Sequence, residues 1–226
     1  MRIKLSLFLV LAVTLMATWL VLDQRNDTKA NAHNIQGNVF SDLKRYDEAI
    51  AQYRQAIKMK SDFAEAYNNL ANALRQKGQL AESIIHYGEA IRFKSDYTEA
   101  QSNLGIALTD QGQFAEAIAV YQEALQTNPD LFRVHNSLAI LLAQRGDFSE
   151  AHFHYQQAIT LYPGFAKAHN NLGSALAQQG QFEKAVKYFK RAVRIDPNYV
   201  DAQNNLKLAE SLAGTKITAP VGQKIR

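Results

Sequence analysis

Apolar positions return along this chain every 34 residues. Leu70, Leu104, Leu138, Leu172 and Leu206 fall in step, as do Leu74, Leu108, Leu142 and Leu176. Gly78, Gly112, Gly146 and Gly180 keep the same interval. Within one period the spacing is helical twice. Leu104 and Leu108 stand four apart; Ala117, Tyr121 and Ala124 stand four and three apart. Those intervals place side chains on one helical face. Between the two stripes, Asp110-Gln111-Gly112-Gln113 predicts a turn, and Pro129, Pro163 and Pro197 end the second helix because proline cannot continue its hydrogen-bond ladder. The pattern predicts helical hairpins stacked in register, each burying its apolar face on its neighbour.

Five such units are expected, at 30–63, 64–97, 98–131, 132–165 and 166–199, followed by a half-unit at 200–213 that serves as a capping helix. Small residues mark helix crossings: Gly105, Ala117 and Ala124 in the third unit, Gly173, Ala185 and Ala192 in the fifth. Tyr121 with Phe114, and Phe189 with Phe182, fill the space between layers. Lys207 stands where earlier units have a small residue, which fits a last helix facing solvent. Residues 214–226, GTKITAPVGQKIR, lack periodicity and are expected to form a mobile, mildly basic tail.

On these residues the chain resembles the tetratricopeptide repeat family: Leu followed by Gly or Ala, an aliphatic residue, the turn glycine, then the Ala…Tyr/Phe…Ala-x4-Pro run. The match covers 30–213. The resemblance implies an all-α solenoid of the tetratricopeptide type, with first helices lining a concave groove. Departures exist. The family's common Trp near the start of the first helix is replaced by His33, Tyr67, Gln101, His135 and His169. Gln36 stands for Leu and Lys44 for the turn glycine in the first unit. The second has Ser83 for Ala and a mid-helix Gly88, which weakens that helix by up to ~1 kcal/mol.

Ahead of the repeats, residues 5–22, LSLFLVLAVTLMATWLVL, carry no charge. At about 1.5 Å per residue such a helix is roughly 27 Å long, near the hydrocarbon thickness of a bilayer. Residues 1–4 form a basic flank with Arg2 and Lys4, and charges at Asp23, Arg25, Asp27 and Lys29 make 23–29 a polar stem. The expectation is an uncleaved transmembrane helix, with the N-terminus cytoplasmic and the repeats on the far side, periplasmic or lumenal. The alternative is a cleaved export signal releasing a soluble scaffold, although the apolar run is longer than the usual signal core.

Read down the first helices, amides recur. One register is Asn34, Asn68, Ser102, Asn136, Asn170 and Asn204; the next is Ile35, Asn69, Asn103, Ser137, Asn171 and Asn205. An amide both donates and accepts, so a spaced row can clamp an extended peptide main chain. The resemblance implies the same use, since paired Asn residues hold peptide main chain in some family members. Asn68, Asn69, Asn103, Asn136, Asn170 and Asn171 are the candidate peptide-binding residues. The bland account is that these amides bond across repeats. Glu65, Glu99, Arg133 and Lys167 flank them one turn earlier and change sign midway.

The net charge of +4 is unevenly spread. From Asp96 to Asp130 there are acidic residues and no Lys or Arg, whereas Lys184, Lys187, Lys190, Arg191 and Arg194 crowd one second helix. That basic set is a candidate contact for an anionic surface, or simply a solvated face. Without an interleaved aromatic platform, nucleic acid is not an expected partner.

Cysteine is absent, which removes thiol catalysis, disulfides and iron–sulfur centres. His152 and His154 are two apart and face opposite sides of a helix. No metal set, phosphate-cradling loop or nucleophile elbow is present, so no catalytic residue, metal or cofactor is expected. The reading is a membrane-anchored adaptor that binds segments of other, membrane-associated proteins. A self-assembling scaffold is the other alternative.

Overall fold

The computed structural model describes residues 2–217, with side chains for Met16 and for residues 22–214. Among the described residues there are eleven α-helices and no strand. They are α1 (Arg2–Asp42), α2 (Tyr46–Met59), α3 (Ala64–Gln76), α4 (Leu80–Phe93), α5 (Thr98–Asp110), α6 (Phe114–Thr127), α7 (Phe132–Arg145), α8 (Phe148–Leu161), α9 (Ala166–Gln178), α10 (Phe182–Ile195) and α11 (Val200–Ile217). The chain divides into two compact units, Met1–Gln113 and Phe114–Arg226. In the first, α1 packs on α2 and α3 on α4, and the first helices α1, α3 and α5 neighbour one another. In the second, α7 packs on α8 and α9 on α10, while α7, α9 and α11 adjoin in turn.

The turns explain the periodic glycines. Gly78 N–H donates to the Arg75 carbonyl and Gln79 N–H to the Leu74 carbonyl; Gly112/Gln113, Gly146/Asp147 and Gly180/Gln181 repeat those two bonds. This is the paired closure that satisfies the last carbonyls of a helix. It needs a left-handed residue, and the four glycines have φ of 76°, 83°, 95° and 69°. Lys44 makes the same turn with φ 57°, the one non-glycine residue with positive φ among those described. At the other end, α6, α8 and α10 stop two residues before Pro129, Pro163 and Pro197, as the restriction on residues preceding proline requires.

Each core is built from the residues of the repeat. In the first unit Ala49, Ile50, Tyr53, Leu70, Ala73 and Leu74 form one cluster, and Ala71, Tyr87 and Ala107 another. In the second, Leu138, Leu142, Tyr155, Leu172, Leu176 and Phe189 are buried. Each such large side chain contributes about 1.5–3 kcal/mol when fully withdrawn from water. Close approach demands glycine at two crossings: a Cβ on Gly37 would lie 2.5 Å from the Tyr53 ring, and one on Gly173 would lie 2.7 Å from the Phe189 ring.

The N-terminal expectation is corrected. Residues 5–22, 23–29 and the start of the first repeat are one continuous helix, α1. The polar stem is part of the first hairpin: Asp27 pairs with Lys60 of the α2 C-cap at 3.1 Å, and Ala30 is fully buried. Among the described residues no helix is long and apolar enough to cross a membrane. That finding overturns the single-pass placement, with its cytoplasmic N-terminus and its bilayer contact through 5–22. The side chains of 5–15 and 17–21 lie outside the described residues. At the other end α11 runs on to Ile217, four residues beyond the expected capping helix, and 218–226 of the expected tail lie outside the described residues.

Candidate functional site

The two amide registers are tied to each other from hairpin to hairpin. In the first unit Asn69 Nδ2 donates to Asn34 Oδ1 at 3.1 Å, and Asn103 Nδ2 to Asn68 Oδ1 at 3.1 Å. In the second, Asn171 Nδ2 donates to Asn136 Oδ1 at 3.1 Å, and Asn205 Nδ2 to Asn170 Oδ1 at 3.0 Å. The earlier register is the buried one. Asn34, Asn68, Asn136 and Asn170 are 3%, 0%, 7% and 6% exposed, whereas Asn69, Asn103 and Asn171 are half-buried. A ligand on this surface therefore meets the second register, with the first behind it.

Flanking residues complete the ladder. Asn34 donates to the Glu65 carboxylate at 3.0 Å and Asn68 to Glu99 at 3.3 Å. In the second unit the same role falls to the Tyr199 hydroxyl, which accepts from Asn170 at 3.4 Å. Glu65 and Glu99 are thus anchors for buried amides while remaining exposed. Arg133 lies over the Phe132 ring at 5.3 Å, and Lys167 is exposed.

Two hollows adjoin these amides. In the first unit a polar hollow of about 350 Å³ is lined by Asn38, Ser41, Asp42, Tyr53, Asn69 and Asn72. Tyr53 donates to Asn38 Oδ1 at 2.8 Å and Tyr87 to Asn72 Oδ1 at 2.5 Å. Burial pushes both phenols up to about 12, so both remain donors. In the second unit an apolar hollow of about 180 Å³ lies beside Asn205, walled by Phe182, Phe189, Leu208 and Leu212. An extended chain needs main-chain partners and side-chain recesses, and each unit supplies some of both.

The position without its Trp has its own structural task, which periodicity alone does not disclose. His135 Nε2 donates to the Pro129 carbonyl at 2.9 Å and His169 Nε2 to Pro163 at 3.1 Å. Gln101 reaches Ser95 at 3.3 Å and Gln203 reaches Pro197 at 2.6 Å. In all four the side chain bonds the carbonyl six residues back and pins the loop between hairpins. The visible signal is that His and Gln are long N–H donors recurring at one position. Tyr67 instead stacks on Phe93 at 5.5 Å between centroids.

The basic residues of α10 have different surroundings. Lys190 pairs with Glu210 of α11 at 2.9 Å, whereas Lys184 and Lys187 border a cleft toward α8; Arg191 and Arg194 are exposed. Among the described residues no cluster of His, Asp or Glu could hold a metal ion.

Family models described as tetratricopeptide repeat match residues 136–200 and 96–164, and one described as TPR repeat matches 37–75 and 71–112. Together they run from 37 to 200. Among solved structures the chain is similar to YrrB, described as a TPR protein with an unusual peptide-binding site: 24% identity, 84% of this chain, 97% of that one, TM-score 0.67. It is similar to MamA at 23% identity, 76% and 94% coverage and TM-score 0.67. MamA from Desulfovibrio magneticus RS-1 aligns at 16% identity, 76% and 97% coverage and TM-score 0.69. At these identities the likeness is one of fold. No curated protein matches the chain.

Proposed function

Because the chain belongs to the tetratricopeptide repeat family, we propose that it is a protein-interaction scaffold whose first-helix faces hold extended segments of partner proteins. It acts by holding and concentrating those segments, with no chemical step. The observation that carries this reading is the division of labour between the two amide registers. Asn69, Asn103 and Asn171 each spend an N–H on the buried register, and among the described residues their Oδ1 atoms accept no hydrogen bond. Each therefore presents an acceptor, held in place from behind, to a passing peptide unit; Asn103 and Asn171 add a second N–H, whereas Asn69 also donates to Asn38 Oδ1 at 3.2 Å. Asn34, Asn68 and Asn136 position those amides from beneath, as Asn170 does for Asn205. Glu65 and Glu99 make the rim acidic in the first unit; Arg133 and Lys167 make it basic in the second. YrrB's description as a peptide-binding member of the same fold supports the assignment by analogy.

The test is a selection of random peptides displayed on phage against the full chain, run beside the variant Asn69→Ala, Asn103→Ala, Asn171→Ala. Peptides enriched on the parent and lost on a variant with an unchanged helical spectrum support the groove. Equal enrichment on both refutes it.

A further inference from the structure

Helices α8 and α10, with the last turn of α9, border an open cleft of about 630 Å³ that the amide faces do not share. Its apolar wall is Phe148, Leu176 and Tyr188; its polar wall holds His152, Lys184 and Lys187. No carboxylate lines it: Glu150 and Glu183, on the same helices, do not reach in, and Asp147 is engaged by Arg145. Among the described residues the Lys187 ammonium has no carboxylate partner, unlike Lys190 with Glu210.

The walls are held from outside. Lys184 Nζ donates to Gln181 Oε1 at 2.9 Å, Gln181 Nε2 to Gln179 Oε1 at 3.2 Å, and Gln179 Nε2 to the Ala175 carbonyl at 3.0 Å. Gln156 of α8 donates to the Tyr188 hydroxyl at 3.2 Å, which fixes the ring on the far wall. Two ammonium groups without carboxylates call for a concentrated negative charge, and the adjoining rings call for a flat apolar body. The volume lies within the range of small-molecule sites, roughly 300–1,000 Å³.

We propose that this cleft binds a small organic phosphate, its phosphoryl group held by Lys184 and Lys187 and its planar body between Phe148 and Tyr188. Bound there, it bridges the hairpin α7–α8 to the hairpin α9–α10 and stiffens their junction.

Phenyl phosphate is the probe, with inorganic phosphate and phenol as its two halves, titrated calorimetrically into the full chain at physiological ionic strength. The expected result is saturable binding of one equivalent of phenyl phosphate, tighter than either half. Lys184→Gln and Lys187→Gln should each weaken it about tenfold or more, as loss of a charge-assisted hydrogen bond does. Lys190→Gln removes the same charge from the same helix and should leave affinity unchanged. All three positions are exposed, and a thermal melt of each variant confirms that the fold is intact. The proposal is overturned by absence of saturable binding, by equal losses in all three variants, or by a hexaglutamate peptide that displaces phenyl phosphate at equal concentration.

Discussion

Asn103 donates its side-chain amide to Asn68 across 3.1 Å and 35 residues, and Asn171 does the same to Asn136. The separation is one more than the repeat. On α3, α5, α9 and α11 the residue one place further along therefore looks back on the amide of the preceding hairpin. This geometry makes one register structural and the other available.

Asn68 is fully buried and holds two partners, Asn103 and Glu99. Asn68→Ala should destabilise the fold by about 1–3 kcal/mol, because it removes two hydrogen bonds at once, to half-buried Asn103 and to exposed Glu99. Asn103→Ala should cost about 1–3 kcal/mol as well, since it leaves the fully buried Asn68 Oδ1 without its donor. Urea unfolding of both single variants and the double variant checks the pairing. A coupling energy near zero would show that the bond contributes nothing.

Two glycines of similar sequence prominence should respond oppositely. Gly173 touches the buried Phe189 ring, so Gly173→Ala should cost about 1–3 kcal/mol through overpacking. Gly88 sits inside α4 with open space around it. Gly88→Ala should stabilise by about 0.5–1 kcal/mol, the helical disadvantage of glycine. Thermal melts of the two variants should move in opposite directions.

Much of this was legible in the chain because neighbour contacts repeat at the sequence period. The leucine, turn-glycine and proline positions place the hairpins directly, and Gly173 against Phe189 follows from the need for one small and one large residue at a crossing. The expected membrane helix is overturned because, among the described residues, no helix is long and apolar enough to cross a membrane; the polar stretch after the apolar run belongs to the same helix, where Asp27 is tied to Lys60. The amide rows were visible too, but which row faces out depends on the rotation between successive first helices. Periodicity carries no record of that rotation. The α8–α10 cleft was hidden for the same reason: Lys184 and Lys190 look alike in a charge run and differ only in what stands opposite them.

Lys44 gives a test of the turn. It holds φ 57° with the same closing bonds that glycine makes elsewhere, from Lys44 N–H to the Ser41 carbonyl and Arg45 N–H to the Phe40 carbonyl. A side chain in that region costs roughly 1–2 kcal/mol. Lys44→Gly should therefore raise stability, by about 1 kcal/mol once glycine's greater unfolded-state freedom is subtracted. Chemical denaturation at neutral pH is the measurement, and an unchanged midpoint would mean that the Lys44 turn is unstrained.

The second unit should weaken in mild acid, and His154 should be a main cause. His135 gives its Nε2 hydrogen to the Pro129 carbonyl, so its Nδ1 is an acceptor and takes a hydrogen bond from His154 Nδ1 at 2.8 Å. That arrangement requires the accepting His135 ring to be neutral; His154 can donate in either state, and it is burial that disfavours its charged form. Burial pushes His154 down to about 4, with His135 adding to it, and burial also lowers His135 against the opposing pull of the Pro129 carbonyl and Asp130. An unfolded histidine titrates near 6.5, so on acidification the unfolded chain takes up protons first. The stability is fully present above about 6.5 and is lost as pH falls toward about 4. His154→Asn keeps an N–H donor near the same place and removes the titration. Urea midpoints measured at about pH 7 and pH 5 should fall steeply for the parent and less for the variant, with His86 and His169, also lowered by burial, retaining part of the slope. Equal slopes would show that the histidine pair does not govern acid sensitivity.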